Sequence, residues 1–144
     1  MPVVSLSRTT PPRAPTLPRT ALAAFTADSA RDFACDVLRA AGVVSVVPSG
    51  GGRDAVRSAH DQPTDVIVID WPEGDIELAD LIRELRASNG AGRDTPVMLL
   101  TSREGRADLD AARLAGVDAY VVKPVSAAML KHRLAKMATN APGR

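Results

Sequence analysis

The segment DVIVID, residues 65–70, limits what this chain can fold into more than any other stretch. Val66, Ile67, Val68 and Ile69 run without a polar break and end on a carboxylate. A strand with one wet face would alternate apolar and polar residues. An unbroken β-branched run belongs to a strand covered on both faces, as in a parallel sheet sandwiched by helices. The remaining sequence repeats the theme. Ala21–Thr26, Val43–Val47, Pro96–Thr101 and Val117–Val122 read as further strands, and Pro48-Ser49-Gly50-Gly51-Gly52 reads as a turn. Helical spacing separates them. Ser29–Ala41 carries Phe33, Val37 and Leu38, and Arg53–His60 is short. Glu77–Ala87 carries Leu78, Leu81, Ile82 and Leu85. Glu104–Ala115 carries Leu109, Ala112 and Leu114, and Ser126–Met137 carries Leu130, Leu134 and Met137. Asp28 or Ser29 is suited to cap the first helix; Gly42, Asn89-Gly90-Ala91-Gly92 and Gly116 are suited to end helices. Strands alternating with helices predict an α/β domain over residues 21–138, a doubly wound five-stranded parallel sheet with five helices.

Composition removes several function classes. Lys plus Arg total 18 and Asp plus Glu total 17, so the net charge of +1 gives no general pull toward nucleic acid or an anionic membrane. Aromatic residues make up 3%, too few for a base-stacking platform. One cysteine and two histidines cannot form a disulfide or a zinc site on their own. No apolar run is long enough to span a membrane, and residues 1–20 hold Arg and Pro where a signal peptide needs an apolar stretch. A cytoplasmic protein is expected. Residues 1–20 contain Arg8, Arg13 and Arg19, many prolines and no acid, which predicts a disordered tail. A second short tail is expected over residues 139–144.

In an open α/β sheet the ligand crevice lies beyond the carboxyl ends of the strands. The third strand ends at Asp70, the fourth at Thr101-Ser102, and the fifth before Lys123-Pro124. A carboxylate that can attack phosphorus, a hydroxyl that can donate to a phosphoryl oxygen and an ammonium that can neutralise a second oxygen thus converge. Phosphatases with an aspartate nucleophile need an acid two residues later, where this chain has Pro72. A P-loop needs Gly-Lys-Ser/Thr, where Arg53-Asp54 follow Gly52. Cys35 lies between opposing charges and reads as inert. His132, between Lys131 and Arg133, reads as part of a solvated basic edge. Arg103, Arg106 and Arg113 alternate with Glu104, Asp108 and Asp110, which suggests surface ion pairs. Their alternative role is an anion site for an acidic partner or a cyclic dinucleotide.

In these strand ends the chain resembles the response-regulator receiver family, the CheY-like domains of bacterial two-component signalling. The carriers are DVIVID, PVMLLTS and GVDAYVVKP, together with Arg31, Gly42 and Gly52-Arg53-Asp54-Ala55 at matching positions. The resemblance implies a flavodoxin/CheY-like fold and a signalling role rather than an enzyme. It implies Asp70 as phosphoacceptor, Lys123 and Thr101 as phosphoryl contacts, and Thr101 with Tyr120 as switch. It also implies Mg²⁺, a histidine kinase, phosphotransferase or other signalling protein as partner, and a homodimer through the last helices. No direct nucleic-acid or membrane partner is implied. Two departures stand out. The acidic pair that holds Mg²⁺ in the family falls on Phe25 and Thr26. The available substitutes are Asp28, Asp70 and the Pro72 carbonyl. The loop after Asp70, Trp71-Pro72-Glu73-Gly74-Asp75, is shorter than the family's. The expectation is a stand-alone, atypical receiver that acts by protein contact with little metal-dependent phosphorylation. The alternatives are a working phosphoacceptor at Asp70 and an anionic-ligand module.

Overall fold

The structure, a computed structural model, describes residues 17–87 and 94–140. Five strands and five helices alternate: β1 (Thr20–Ala24), α1 (Asp28–Ala40), β2 (Ser45–Ser49), α2 (Arg53–Asp61), β3 (Val66–Ile69), α3 (Leu78–Ala87), β4 (Val97–Thr101), α4 (Arg106–Ala115), β5 (Ala119–Val122) and α5 (Ala127–Asn140). The sheet order is β2-β1-β3-β4-β5, and each neighbouring pair is parallel. This is the doubly wound fold that the strand–helix alternation predicts.

Alternation along each strand divides the core in two. Ala21, Ala23, Val66, Val68, Met98 and Leu100 face α1 and α5, where they meet Leu38, Leu130 and Leu134. Leu22, Ala24, Ile67, Ile69, Val97 and Leu99 face α2, α3 and α4, where they meet Ala59, Leu81, Leu85 and Ala112. All four residues of β3 are buried, as the unbroken Val/Ile run requires. Arg86 staples the opposite end of the sheet. Its guanidinium donates to the Thr95 carbonyl (2.9 Å), the Gly116 carbonyl (3.2 Å) and Asp118 Oδ2 (2.9 Å).

Several boundaries differ from expectation for local reasons. Ala27, not Asp28 or Ser29, is the N-cap of α1, with extended backbone and no side-chain cap bond. The Asp28 carboxylate sits within the first turn and accepts from Arg31 instead. Strand β2 starts later than Val43, because the Val43 amide bonds the Leu38 carbonyl (3.1 Å) and so completes the end of α1. It also takes in Pro48 and Ser49, which the sequence assigns to a turn. As an edge strand, β2 tolerates a residue without an N–H. At the leading end, residues 17–20 leave the expected tail. Leu17 packs on the α1–α5 side of the core, and the amides of Arg19 and Thr20 donate to Asp65 Oδ2 at 3.0 and 3.2 Å. At the other end, α5 continues to Asn140. Residues 1–16 of the expected tail, the Asn89-Gly90-Ala91-Gly92 stop and residues 141–144 lie outside the described residues.

Leu99 is fully buried, whereas Leu114 on α4 is 88% exposed. Leu99→Ala is expected to cost about 2–5 kcal/mol in urea unfolding, and Leu114→Ala to stay within about 0.5 kcal/mol. Equal losses would contradict this division of core and surface.

Candidate functional site

Beyond the carboxyl ends of the strands lies an open cavity of about 280 Å³, lined by residues from four connections. Thr26 and Ala27 follow β1. Asp70, Trp71 and Glu73 follow β3. Thr101, Ser102 and Arg103 end and follow β4. Lys123 follows β5, and Leu100 forms part of the floor. The three groups expected at the strand ends, Asp70, Thr101 and Lys123, thus share one cavity.

Asp70 is held asymmetrically. Its Oδ2 accepts the Thr26 amide at 3.0 Å. Its Oδ1 is buried and has no hydrogen-bond partner. The loop after β2 presses on the same place. A Cβ on Gly51 would lie 2.6 Å from Thr26 Oγ1, 2.9 Å from Thr26 N and 3.1 Å from Asp70 Oδ1, so only glycine lets the loop approach this closely. Burial raises the Asp70 pKa from its ordinary carboxylate value. The Thr26 amide, its own amide and the Lys123 charge pull it down, but more weakly.

Thr101 is buried and its Oγ1 accepts the Arg103 amide at 3.1 Å. The Lys123 amide donates to the Thr101 carbonyl at 2.8 Å, which binds the ends of β4 and β5 together. The Lys123–Pro124 peptide is cis. The Lys123 ammonium lies 6.0 Å from the centre of the Phe25 ring. Tyr120 lies outside the cavity lining, half-buried, and its hydroxyl donates to the Arg103 carbonyl at 2.5 Å. Burial raises its pKa.

The Mg²⁺ that the resemblance implies does not find its donors here. Phe25 is fully buried in the core, and Thr26 offers Asp70 an amide rather than a second carboxylate. Asp28 does not line the cavity; its carboxylate pairs with Arg31, whose other nitrogen donates to the Phe25 carbonyl at 3.3 Å. Pro72 does not line it either. Among the described residues, no group of three or more His, Cys, Asp or Glu side chains could hold a metal ion. The carboxylates lining the cavity are Asp70, with one oxygen on the Thr26 amide, and Glu73, paired with Arg103 at 3.7 Å; Mg²⁺ takes near-octahedral oxygen coordination, and this set does not fit that need.

Other residues behave as their surroundings dictate. Cys35 is buried, and desolvation raises its thiol pKa, in keeping with an inert side chain. The surface pairs form: Arg103 with Asp108 (3.7 Å), Arg106 with Asp110 (3.8 Å) and Arg113 with Asp110 (3.6 Å). What the sequence does not reveal is the wider reach of Arg103. Its guanidinium stacks 4.4 Å from the Trp71 ring centre and pairs with Glu73 at 3.7 Å. The only available signal is that Trp71 and Arg103 each lie just past a strand end.

Comparison with known proteins agrees with this architecture. The response regulator receiver domain family matches residues 26–135. The chemotaxis protein CheY of Pseudomonas aeruginosa is 31% identical over 102 residues, which cover 71% of this chain and 82% of that protein. The crystal structure of a sensor histidine kinase receiver domain from the same organism, with magnesium coordinated in its active-site cleft, is 26% identical at a TM-score of 0.70. The match covers 85% of this chain and 98% of that one. The response regulator CheY4 of Vibrio cholerae shares the fold at a TM-score of 0.70 and 23% identity, over 84% of this chain and 98% of that one.

The raised pKa of Asp70 sets a pH dependence. The native state binds the proton more tightly than the unfolded chain does. Ionised Asp70 therefore subtracts from stability above its native pKa, and the penalty fades as pH falls through the carboxylate range. Asp70→Asn is expected to melt above wild type at pH 7, with the gap closing toward about pH 3. A gap of opposite sign, or one constant with pH, would contradict the assignment.

Proposed function

The chain belongs to the response-regulator receiver family, and on that premise we propose that it is an atypical receiver that signals by protein contact, with metal-dependent phosphorylation of Asp70 weak or absent. The observation that carries this reading is the end of β1. There Thr26 meets Asp70 with an amide, where a metal-binding receiver needs carboxylates. Without a divalent cation, a phosphoryl donor approaching Asp70 has only Lys123 and Arg103, among the lining residues, to offset its negative charge.

The contact face in this reading is formed by α4, β5 and α5. Leu114 and Met129 are exposed there, and a shallow cavity of about 230 Å³ runs between Leu109, Arg113, Val117, Asp118 and Tyr120. An exposed apolar side chain beside a mixed-charge rim suits a protein partner. The partner class is a two-component signalling protein such as a histidine kinase or phosphotransferase. One observation favours a second reading, a working phosphoacceptor: Asp70 has an unpartnered Oδ1 and lines the same cavity as Lys123 and Thr101.

Acetyl phosphate and Mg²⁺, followed by intact-mass spectrometry, separate the two. The proposal expects no phosphoryl adduct, and Trp71 emission unchanged by beryllofluoride across millimolar Mg²⁺. A stoichiometric adduct that disappears in Asp70→Asn would overturn it. Thr26→Asp adds the missing carboxylate and is expected to make Trp71 emission respond to Mg²⁺ where the wild type does not.

A further inference from the structure

Arg103 joins both sides of the site. Its guanidinium lies 4.4 Å from the Trp71 ring centre. One nitrogen is 3.7 Å from Glu73 Oε2 and another is 3.7 Å from Asp108 Oδ1. Its side chain thus fastens the loop after β3 and the first turn of α4. Its backbone faces the other way. The amide donates to Thr101 Oγ1 at 3.1 Å, and the carbonyl accepts the Tyr120 hydroxyl at 2.5 Å.

We propose that Arg103 is a positioning residue, a clamp whose hold on Trp71 fixes the Thr101 and Tyr120 hydroxyls with no phosphoryl group present. The chemistry of guanidinium suits this task. Its flat face stacks on an indole while its edges present separate N–H groups to two carboxylates, which a lysine point charge cannot do. Each contact is partly exposed and weak alone. Because all of them act on one rigid plane, they restrain the segment after β4 together. That segment carries the only described hydrogen bond of the Tyr120 hydroxyl. The chain between Asp70 and Tyr120 is therefore mechanical: Trp71, the Arg103 side chain, the Arg103 carbonyl, the Tyr120 hydroxyl. The inference rests on the proposed function only in supplying what would hold the contact face in one state.

The sequence offers the probes, since Trp71 and Tyr120 are its single tryptophan and single tyrosine. The full chain is labelled with 3-fluorotyrosine and studied by ¹⁹F NMR without Mg²⁺ or phosphodonor. Amide hydrogen exchange over residues 101–105 is the second readout. The wild type is expected to give one sharp resonance. Arg103→Ala and Trp71→Ala are each expected to shift or broaden it and to speed exchange over 101–105 by about tenfold. Arg103→Lys is expected not to restore either readout, and Trp71→Phe to restore both. The double variant is expected to match the single ones, because the two residues act in series. Glu73→Gln with Asp108→Asn, changes at the surface that leave the core intact, is expected to move both readouts part of the way. Unchanged exchange in Arg103→Ala and in the Glu73/Asp108 variant would overturn the clamp. So would full additivity of Arg103→Ala and Trp71→Ala. An Asp70 phosphoryl adduct would overturn the proposed function and leave this result standing.

Discussion

Parallel register is the constraint on which the site depends. Ala24 pairs with Ile69, and Ile69 with Leu99, so β1, β3 and β4 end at nearly one level. Thr101 pairs with Val122 at the next step. The residues that leave the sheet immediately afterwards, Thr26, Asp70 and Lys123, therefore emerge side by side with Thr101. No separate scaffold is needed to gather them. The apolar interior of β3 and β4 makes this register robust, because a slip by one residue would exchange the two core faces and strand Ile67, Ile69 and Leu99 against the wrong helices.

Given that frame, the character of the site follows from what surrounds the Asp70 carboxylate. One oxygen rests on a backbone amide, and the other is sealed beneath a glycine loop. Positive charge comes from Lys123 within the cavity and Arg103 at its mouth. A second arginine, Arg31, occupies the beginning of α1 by bonding both Asp28 and the Phe25 carbonyl. Guanidinium groups thus take up acceptors near the end of β1 and at the cavity mouth. In the proposed reading, such a centre is organised by fixed organic cations and amides in place of a divalent ion.

Most of the fold is legible in the residues, because its signal is local. The β-branched run of β3, the apolar spacing of α3 and the glycines after α1 and α4 each announce their element. The strand ends were readable too, since a polar residue after an apolar run marks where the chain leaves the sheet. Less legible was anything decided by competition or by distance. Val43 looks like a strand residue, yet its amide serves the end of α1. Asp28 looks like a cap or a ligand, but an arginine three residues on claims it. Leu17 sits in a proline-rich stretch and still packs on the core. The stacking of Arg103 on Trp71 joins residues more than thirty positions apart, and no spacing rule connects them.

The turn between β2 and α2 has a consequence for how this sequence can change. Gly52 adopts φ +59°, and a Cβ there would lie 2.3 Å from Asp75 Oδ1, the carboxylate group that receives the Arg53 amide through Oδ2 at 3.2 Å. The start of α2 is thus capped by a residue from a different loop, the short one that follows Asp70. Positions 52 and 75 form a lock whose halves lie on separate segments. A side chain at 52 collides with the cap, and lengthening the later loop withdraws the cap from the helix. The compact loop after Asp70 and the glycine turn are therefore coupled through one carboxylate, and a change in either is felt at the first turn of α2.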